Sequence, residues 1–284
     1  MLTSKYIADT VARALEEDLP WGDATVGATI PADMQFQANL VAREPGVFAG
    51  GRVLEEAFRQ VDPDITVTHL VSDGTAFHRG DILASLFGPA AGILTGERVA
   101  LNFVQRLSGI ATRTAEFVTE VTRVKSLARI ADTRKTTPGL RALEKHAVVA
   151  GGGVNHRFGL SDAIMLKDNH LAALGATHGT ALTEAICNVR SKVGHTTAII
   201  VEVDELDQIE PVVAAGVTGI LLDNFPVAQL RSGVKLIAGR CVVEASGGVS
   251  LDTVADIAQT GVDIISVGSI THGATALDLG LDAV

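Results

Sequence analysis

The sequence predicts an α/β protein, with a small α+β module followed by a larger set of repeated β-α units carrying parallel strands. Three observations predict it. First, short β-branched runs recur and end at polar residues or glycine: ARIADT (128–133), AIMLKD (163–168), AIIVEVD (198–204), GILLDN (219–224), CVVEAS (241–246) and DIISVGS (263–269). Second, helical patterns fill the gaps at 205–215, 226–237 and 250–260. Third, Glu202, Asp223 and Glu244 follow one another at intervals of 21 residues, one β-α unit each. Near-continuous apolar strands imply burial on both faces, as in parallel sheets. A doubly wound sheet would satisfy this too. A barrel is favoured because the units recur evenly and no dinucleotide fingerprint is present. Only six strands are evident, fewer than the eight of a closed barrel, so the barrel is expected to be irregular and incomplete.

Taken in order, residues 4–18 carry a helical stripe of Ile7, Val11, Ala14 and Leu15, with Ser4 placed to cap it. The turn LPWGDAT follows, and its Trp21 reads as a packing anchor. Phe36, Ala38, Leu40 and Ala42 alternate with polar residues, which fits a half-buried strand. A helix over 52–60 comes next, then the strand-like ITVTHLV at 65–71. Asp73-Gly74 and Arg79-Gly80-Asp81 mark turns between short antiparallel strands. A long helical pattern from Thr95 to Arg123 leads into the second domain, with an expected break near Ser108-Gly109. The boundaries are therefore 1–107 for the first domain and 108–272 for the barrel. The apolar tail 273–284 returns to the first domain.

Bulk properties narrow the function. The chain has 284 residues, 47% of them hydrophobic and only 4% aromatic, so its core is built mainly of Ala, Val, Leu and Ile. A formal charge of -10 argues against general nucleic-acid binding. No apolar run reaches the roughly 18 residues of a membrane span. The N-terminal segment is amphipathic with acids, unlike a signal peptide. Cys187 and Cys241 lack metal spacing. A cytoplasmic protein, with neither membrane nor nucleic acid as a partner, is expected.

Against this acidic background the stretch from Asp132 to His170 gathers Arg134, Lys135, Arg141, Lys145, His156, Arg157 and Lys167. A local cation excess in an acidic chain suggests a multiply charged anion. In parallel α/β folds the functional groups collect at the C-terminal ends of the strands. Around that mouth the six runs present Asp132 to Lys135, Lys167-Asp168, Glu202, Asp223, Glu244 to Ser246, and Gly268-Ser269. Ser246-Gly247-Gly248, after a strand and before a helix, suits a phosphate, as does Gly268. The carboxylates in the middle suit ribose hydroxyls or magnesium. Arg141 and Lys145, four apart on a helix, read as a solvated or structural face and drop out. His69, His78, His178 and His195 have no companion motif. A Schiff-base aldolase using Lys167 and a non-enzymatic phosphosugar sensor are the competing classes.

The motifs D-T-R-K-T-T-P-G-L-R (132–141), G-G-G-x-N-H-R-x-G-L (151–160), K-D-N-H (167–170), E-V-D (202–204), L-L-D-N-F (221–225), S-G-G (246–248) and V-G-S-I-T-H (267–272) resemble the quinolinate phosphoribosyltransferase family. So does G-E-R-x-A-L-N-F-V-Q-R-L-S-G-I-A-T at 96–112. The resemblance implies an N-terminal α/β sandwich, an irregular α/β barrel and a homodimer. It implies transfer of phosphoribose from 5-phosphoribosyl 1-pyrophosphate to quinolinate, with decarboxylation to nicotinate mononucleotide in NAD synthesis. By resemblance Arg134, His156, Arg157 and Lys167 take quinolinate, with Arg98 reaching in from the partner subunit. Lys135 takes the pyrophosphate group. Glu202 and Asp223 lie near the ribose and magnesium, and Ser246, Gly247, Gly248 and Gly268 cradle the 5-phosphate. Thr133 and His272, inside matching motifs, complete the substrate set. Lys135, Lys167, Glu202 and Asp223 are the catalytic candidates, and no organic cofactor is implied. His146 stands where the family pattern has an aromatic, and Gly273 where a Ser is common.

Overall fold

A computed structural model describes residues 2–284. In chain order its elements are α1 (Ser4–Asp18), α2 (Ala24–Thr29), β1 (Gln35–Ala42), β2 (Gly46–Val47), α3 (Gly51–Val61), β3 (Thr66–Thr68), β4 (Ala76–Phe77), β5 (Ile82–Pro89) and α4 (Ala90–Arg123). Then come β6 (Arg129–Ala131), α5 (Arg141–Ala150), β7 (Ile164–Leu166), α6 (Asp168–Ala173), α7 (Gly179–Ser191), β8 (Ile199–Val203), α8 (Ile209–Ala214) and β9 (Gly219–Asp223). The last are α9 (Val227–Ile237), β10 (Val242–Ser246), α10 (Leu251–Ala258), β11 (Ile264–Ser266), α11 (Ser269–His272) and β12 (Leu279–Ala283). No helix among the described residues is long and apolar enough to cross a membrane.

The chain divides into two compact units. One holds the chain up to Ala115 together with Lys135–Gly152 and Ser269–Val284; the other holds Glu116–Arg134 and Gly153–Gly268. Packing thus assigns α5 to the first unit, where a single cut at 107/108 would not.

The first unit is built on an antiparallel sheet of order β12-β1-β5-β3, beside the two-stranded β2-β4 pair. The alternation read in residues 36–42 is visible as Ala38, Leu40 and Ala42 buried along β1. The C-terminal strand β12 pairs with β1, Leu40 opposite Leu281. Helices α1 and α3 pack together. The N-cap of α1 is Thr3, whose side chain accepts the Tyr6 N–H, rather than Ser4, which is already helical. Trp21 is not a packing anchor: it is 96% exposed. The neighbouring α2 buries none of its residues and gives the indole no core to pack on.

The expected break near Gly109 does not occur, and α4 runs unbroken for 34 residues. Glycine is needed there for close approach. A methyl group on Gly109 would lie 2.0 Å from the Thr275 carbonyl oxygen, and one on Gly151 would lie 2.3 Å from that of Ala111. Backbone passes directly over the helix at both places. Lys145 is likewise buried, which leaves the structural of its two readings.

In the second unit all six expected runs are strands. Their order is β6-β11-β10-β9-β8-β7, with parallel pairing throughout. The last strand, β11, lies beside the first, β6, which is the neighbour relation of a barrel. The ring stays open between β6 and β7, where Val154 forms an isolated parallel bridge to Ala131.

Candidate active site

Register explains the 21-residue period. Glu202 pairs with Leu221, Leu221 with Glu244, Glu244 with Ile264, and Ile264 with Arg129. Asp223, two residues beyond Leu221, pairs with Ser246. Successive side chains alternate faces, so Glu202, Asp223, Glu244 and Ser246 share one face of the sheet. The other face carries Val201, Val203, Leu222, Val243 and Ala245, all buried. The period reflects one β-α unit delivering one acid to the same side.

Lys167 directly follows β7 and is the N-cap of α6. Its ammonium forms an ion pair with Glu202, whose side chain is mostly buried. Asp223 accepts the Asn224 side-chain N–H at 2.7 Å, and the Asn224 backbone N–H donates to the Ser246 carbonyl at 2.9 Å. Asn224 has φ 56. A methyl on Gly247, at φ +91, would sit 2.1 Å from Asn224 Oδ1, whereas Gly248, at φ +59, has open space. The left-handed backbone requires glycine here, and it leaves an open glycine corner at the end of β10.

The stretch after Val154 is fixed by Asp132. Its fully buried carboxylate accepts the His156 backbone N–H at 2.8 Å. His156 Nδ1 accepts the Arg157 N–H at 2.7 Å, and Arg157 Nη1 donates to the Ala163 carbonyl at 3.1 Å. Burial pushes the Arg157 guanidinium down from its ordinary range, and the positive charge of Arg134 adds to this; Asp162 opposes it.

Thr133, Arg134, His156, Arg157, Lys167, Glu202, Asp223, Ser246, Gly247, Gly248 and Gly268 all fall in this second unit. Arg98, Lys135 and His272 fall in the first, where each is exposed. The Lys135 carbonyl accepts the Thr271 hydroxyl at 2.7 Å. Asp132 and Glu244, which the sequence reading placed at the mouth without a role, are buried. Their position at the ends of apolar runs was the available signal, since a buried acid needs a local partner.

These features coincide with a known family. Residues 110–282 match "Quinolinate phosphoribosyl transferase, C-terminal domain", and residues 23–108 match "Quinolinate phosphoribosyl transferase, N-terminal domain". The chain belongs to the quinolinate phosphoribosyltransferase family. It is 45% identical over 282 residues to the nicotinate-nucleotide pyrophosphorylase [carboxylating] of Mycobacterium leprae, covering 96% of each chain. It is 44% identical over 266 residues to the probable nicotinate-nucleotide pyrophosphorylase [carboxylating] of Bacillus subtilis, covering 94% of this chain and 89% of that one. The crystal structure of NadC from Streptococcus pyogenes superposes with a TM-score of 0.93 at 41% identity, covering 100% of this chain and 99% of that one.

Within the quinolinate phosphoribosyltransferase pattern, the departure at His146 has a local account. His146 Nε2 lies 2.6 Å from Asp73 Oδ2, and Asp73 Oδ1 accepts the N–H groups of Gly50 and Gly51 at 3.0 Å each, at the start of α3. The histidine thus completes a carboxylate that caps a helix. At the other departure, a side chain on Gly273 would meet the Ser269 carbonyl oxygen at 3.1 Å.

Proposed function

We propose that this chain transfers a phosphoribosyl group from 5-phosphoribosyl 1-pyrophosphate to the ring nitrogen of quinolinate. The carboxylate next to that nitrogen is lost as carbon dioxide, and nicotinate mononucleotide and pyrophosphate are formed. One observation carries the reading: Arg157 lines a cavity with His156 and Glu244, where burial, and after it the positive charge of Arg134, push its guanidinium down from the ordinary range. A planar dicarboxylate relieves that repulsion and matches forked guanidinium donors. Lys167 adds a third cation from the end of β7. Arg98 is exposed on α4, as a residue serving a second copy's site in a homodimer must be.

The rest of the assignment follows the chemistry. Ser246, Gly247, Gly248 and Gly268 form the 5-phosphate cradle, and Thr133, Lys135 and His272 complete the contacts to substrate. Glu202 and Asp223 offer oxygen donors of the kind magnesium takes, one or two carboxylates together with substrate phosphates. Bound there, magnesium supplies charge neutralisation for the departing pyrophosphate. The two carboxylates also face positive charge developing at the sugar C1 as the nitrogen–carbon bond forms and the bond to pyrophosphate breaks. The alkylated nitrogen is then cationic. It draws in the electron pair left as carbon dioxide departs, and that ring carbon takes up a proton. No organic cofactor enters. Holding the partners in place supplies most of the catalysis. We assign the protein to the cytoplasm and give it neither nucleic acid nor membrane as partner.

The test is incubation with quinolinate, 5-phosphoribosyl 1-pyrophosphate and magnesium, reading nicotinate mononucleotide. Tight binding of either substrate without product would replace the enzyme with a sensing module. Nicotinate accepted in place of quinolinate would make it a non-decarboxylating transferase.

A further inference from the structure

Glu244 is a buried acid that the reaction as described does not use. It is 6% exposed, in the middle of β10. Its register neighbours, Leu221 and Ile264, are apolar, so this row does not demand a charge. Oε2 lies 3.3 Å from His156 Nε2, while Oε1 is buried with no hydrogen-bond partner among the described residues. Both Glu244 and His156 wall a cavity of about 380 Å³ inside this unit, together with Arg157, Val242 and Ile264. A carboxylate buried on a single long hydrogen bond costs more than it returns in stability. Its retention calls for another account.

The hydrogen bonds supply one. The Arg157 backbone N–H can only donate, so His156 Nδ1, 2.7 Å away, must present a lone pair. The ring proton of a neutral His156 therefore sits on Nε2, pointing at Glu244 Oε2. Asp132 holds the His156 backbone from the other side at 2.8 Å. We propose that Glu244 is a positioning residue. By accepting the Nε2–H it fixes the His156 tautomer, keeps Nδ1 available to the Arg157 N–H, and so sets where the Arg157 guanidinium stands. The inference deepens the proposed function and rests on Arg157 holding a carboxylate of quinolinate. It gives His156 and Glu244 a part that acts through Arg157.

The test uses the full-length protein labelled with ¹⁵N-histidine. Long-range proton–nitrogen spectra of the ligand-free protein, assigned with a His156→Gln variant, report the tautomer of His156. The wild type is expected to show protonated Nε2 and bare Nδ1. Glu244→Leu is expected to let the ring exchange between tautomers. It should raise the KM for quinolinate about tenfold, the scale of one hydrogen bond, and leave the KM for 5-phosphoribosyl 1-pyrophosphate unchanged. Glu244→Gln keeps an acceptor oxygen and should restore both the tautomer and the KM. A wild-type ring protonated at Nδ1 overturns the proposal. So does an unaltered tautomer in Glu244→Leu, or an equal rise in both KM values, which marks a structural role alone. If Glu244→Leu does not fold, the wild-type and Glu244→Gln spectra decide. The spectra need no substrate, so a wild type that ignores quinolinate would sink the proposed function while the tautomer still judges the dyad.

Discussion

Replacing Glu144 tests how the first unit holds the loop that follows Arg134. The Glu144 side chain is fully buried. Its Oε1 accepts from Arg106 Nη2 at 3.0 Å and from the Thr137 hydroxyl at 2.7 Å, and its Oε2 accepts the Thr137 N–H at 3.1 Å. Arg106 in turn donates to the carbonyls of Thr271 at 2.6 Å and Ala274 at 2.7 Å. One buried carboxylate thus ties together α4, α5, the 135–140 loop and the backbone around α11. Breaking a buried pair by removing one partner costs about 3–5 kcal/mol. Arg106 remains a quarter exposed and keeps two carbonyl acceptors, which places Glu144→Leu near the lower end, about 3 kcal/mol. At about 2–4 °C per kcal/mol for a chain of this size, thermal unfolding should start roughly 6–12 °C lower. The double variant Arg106→Leu/Glu144→Leu should recover part of the loss, because no unmatched charge is left behind. Scanning calorimetry on the wild type, the Glu144→Leu and Arg106→Leu single variants and the double variant measures this. A shift below 1 °C in Glu144→Leu, or strictly additive losses in the double variant, would refute the network's role.

Other outcomes follow from the same geometry. Arg157→Ala should raise the KM for quinolinate by about 100-fold, the scale of a lost charge-assisted hydrogen-bond pair, with unfolding unchanged; unaltered steady-state kinetics would refute its role. Gly247→Ala combines φ +91 with a methyl 2.1 Å from Asn224 Oδ1, so it should weaken use of 5-phosphoribosyl 1-pyrophosphate about tenfold or more. Gly248→Ala, at φ +59 in open space, pays only the left-handed strain and should cost less; equal KM values for the two variants would remove the cradle argument. Burial pushes the Asp73 carboxyl up, but the hydrogen bond from His146, the N–H groups of Gly51 and Gly50 and the His146 charge outweigh it and hold Asp73 below its ordinary range. A lowered folded pKa stabilises above the unfolded value of about 3.9 and is lost as pH falls through the folded one. Asp73→Asn should therefore lower the melting temperature at neutral pH and flatten its decline in acid; parallel wild-type and variant curves below about pH 4 would count against this.

What the sequence disclosed divides along physical lines. The six strands of the second unit were readable because strands buried on both faces are continuous apolar runs, and their polar ends mark the C-terminal mouth. The 21-residue spacing of Glu202, Asp223 and Glu244 was visible and placed them at one mouth, but that they share a face follows only from the register, in which Glu202 pairs with Leu221 and Leu221 with Glu244. Gly109 was misread as a helix break because its partner, the Thr275 carbonyl, is far away in the chain. The choice between a solvated and a structural face for Lys145 stayed open because a helix-surface pattern does not reveal which side another segment covers. The His146–Asp73 contact spans 73 positions and the Asp132–His156 contact 24, so neither follows from local pattern. Glu244 stood in the right run, but only register and burial reveal that it faces His156.

The central claim is that phosphoribosyl transfer and decarboxylation are coupled on one dicarboxylate. Quinolinate labelled with ¹³C in the carboxylate next to the ring nitrogen decides it. With 5-phosphoribosyl 1-pyrophosphate and magnesium, labelled carbon dioxide, pyrophosphate and nicotinate mononucleotide should appear in equal amounts. Label retained in a nucleotide product, or carbon dioxide released without pyrophosphate, would contradict the account.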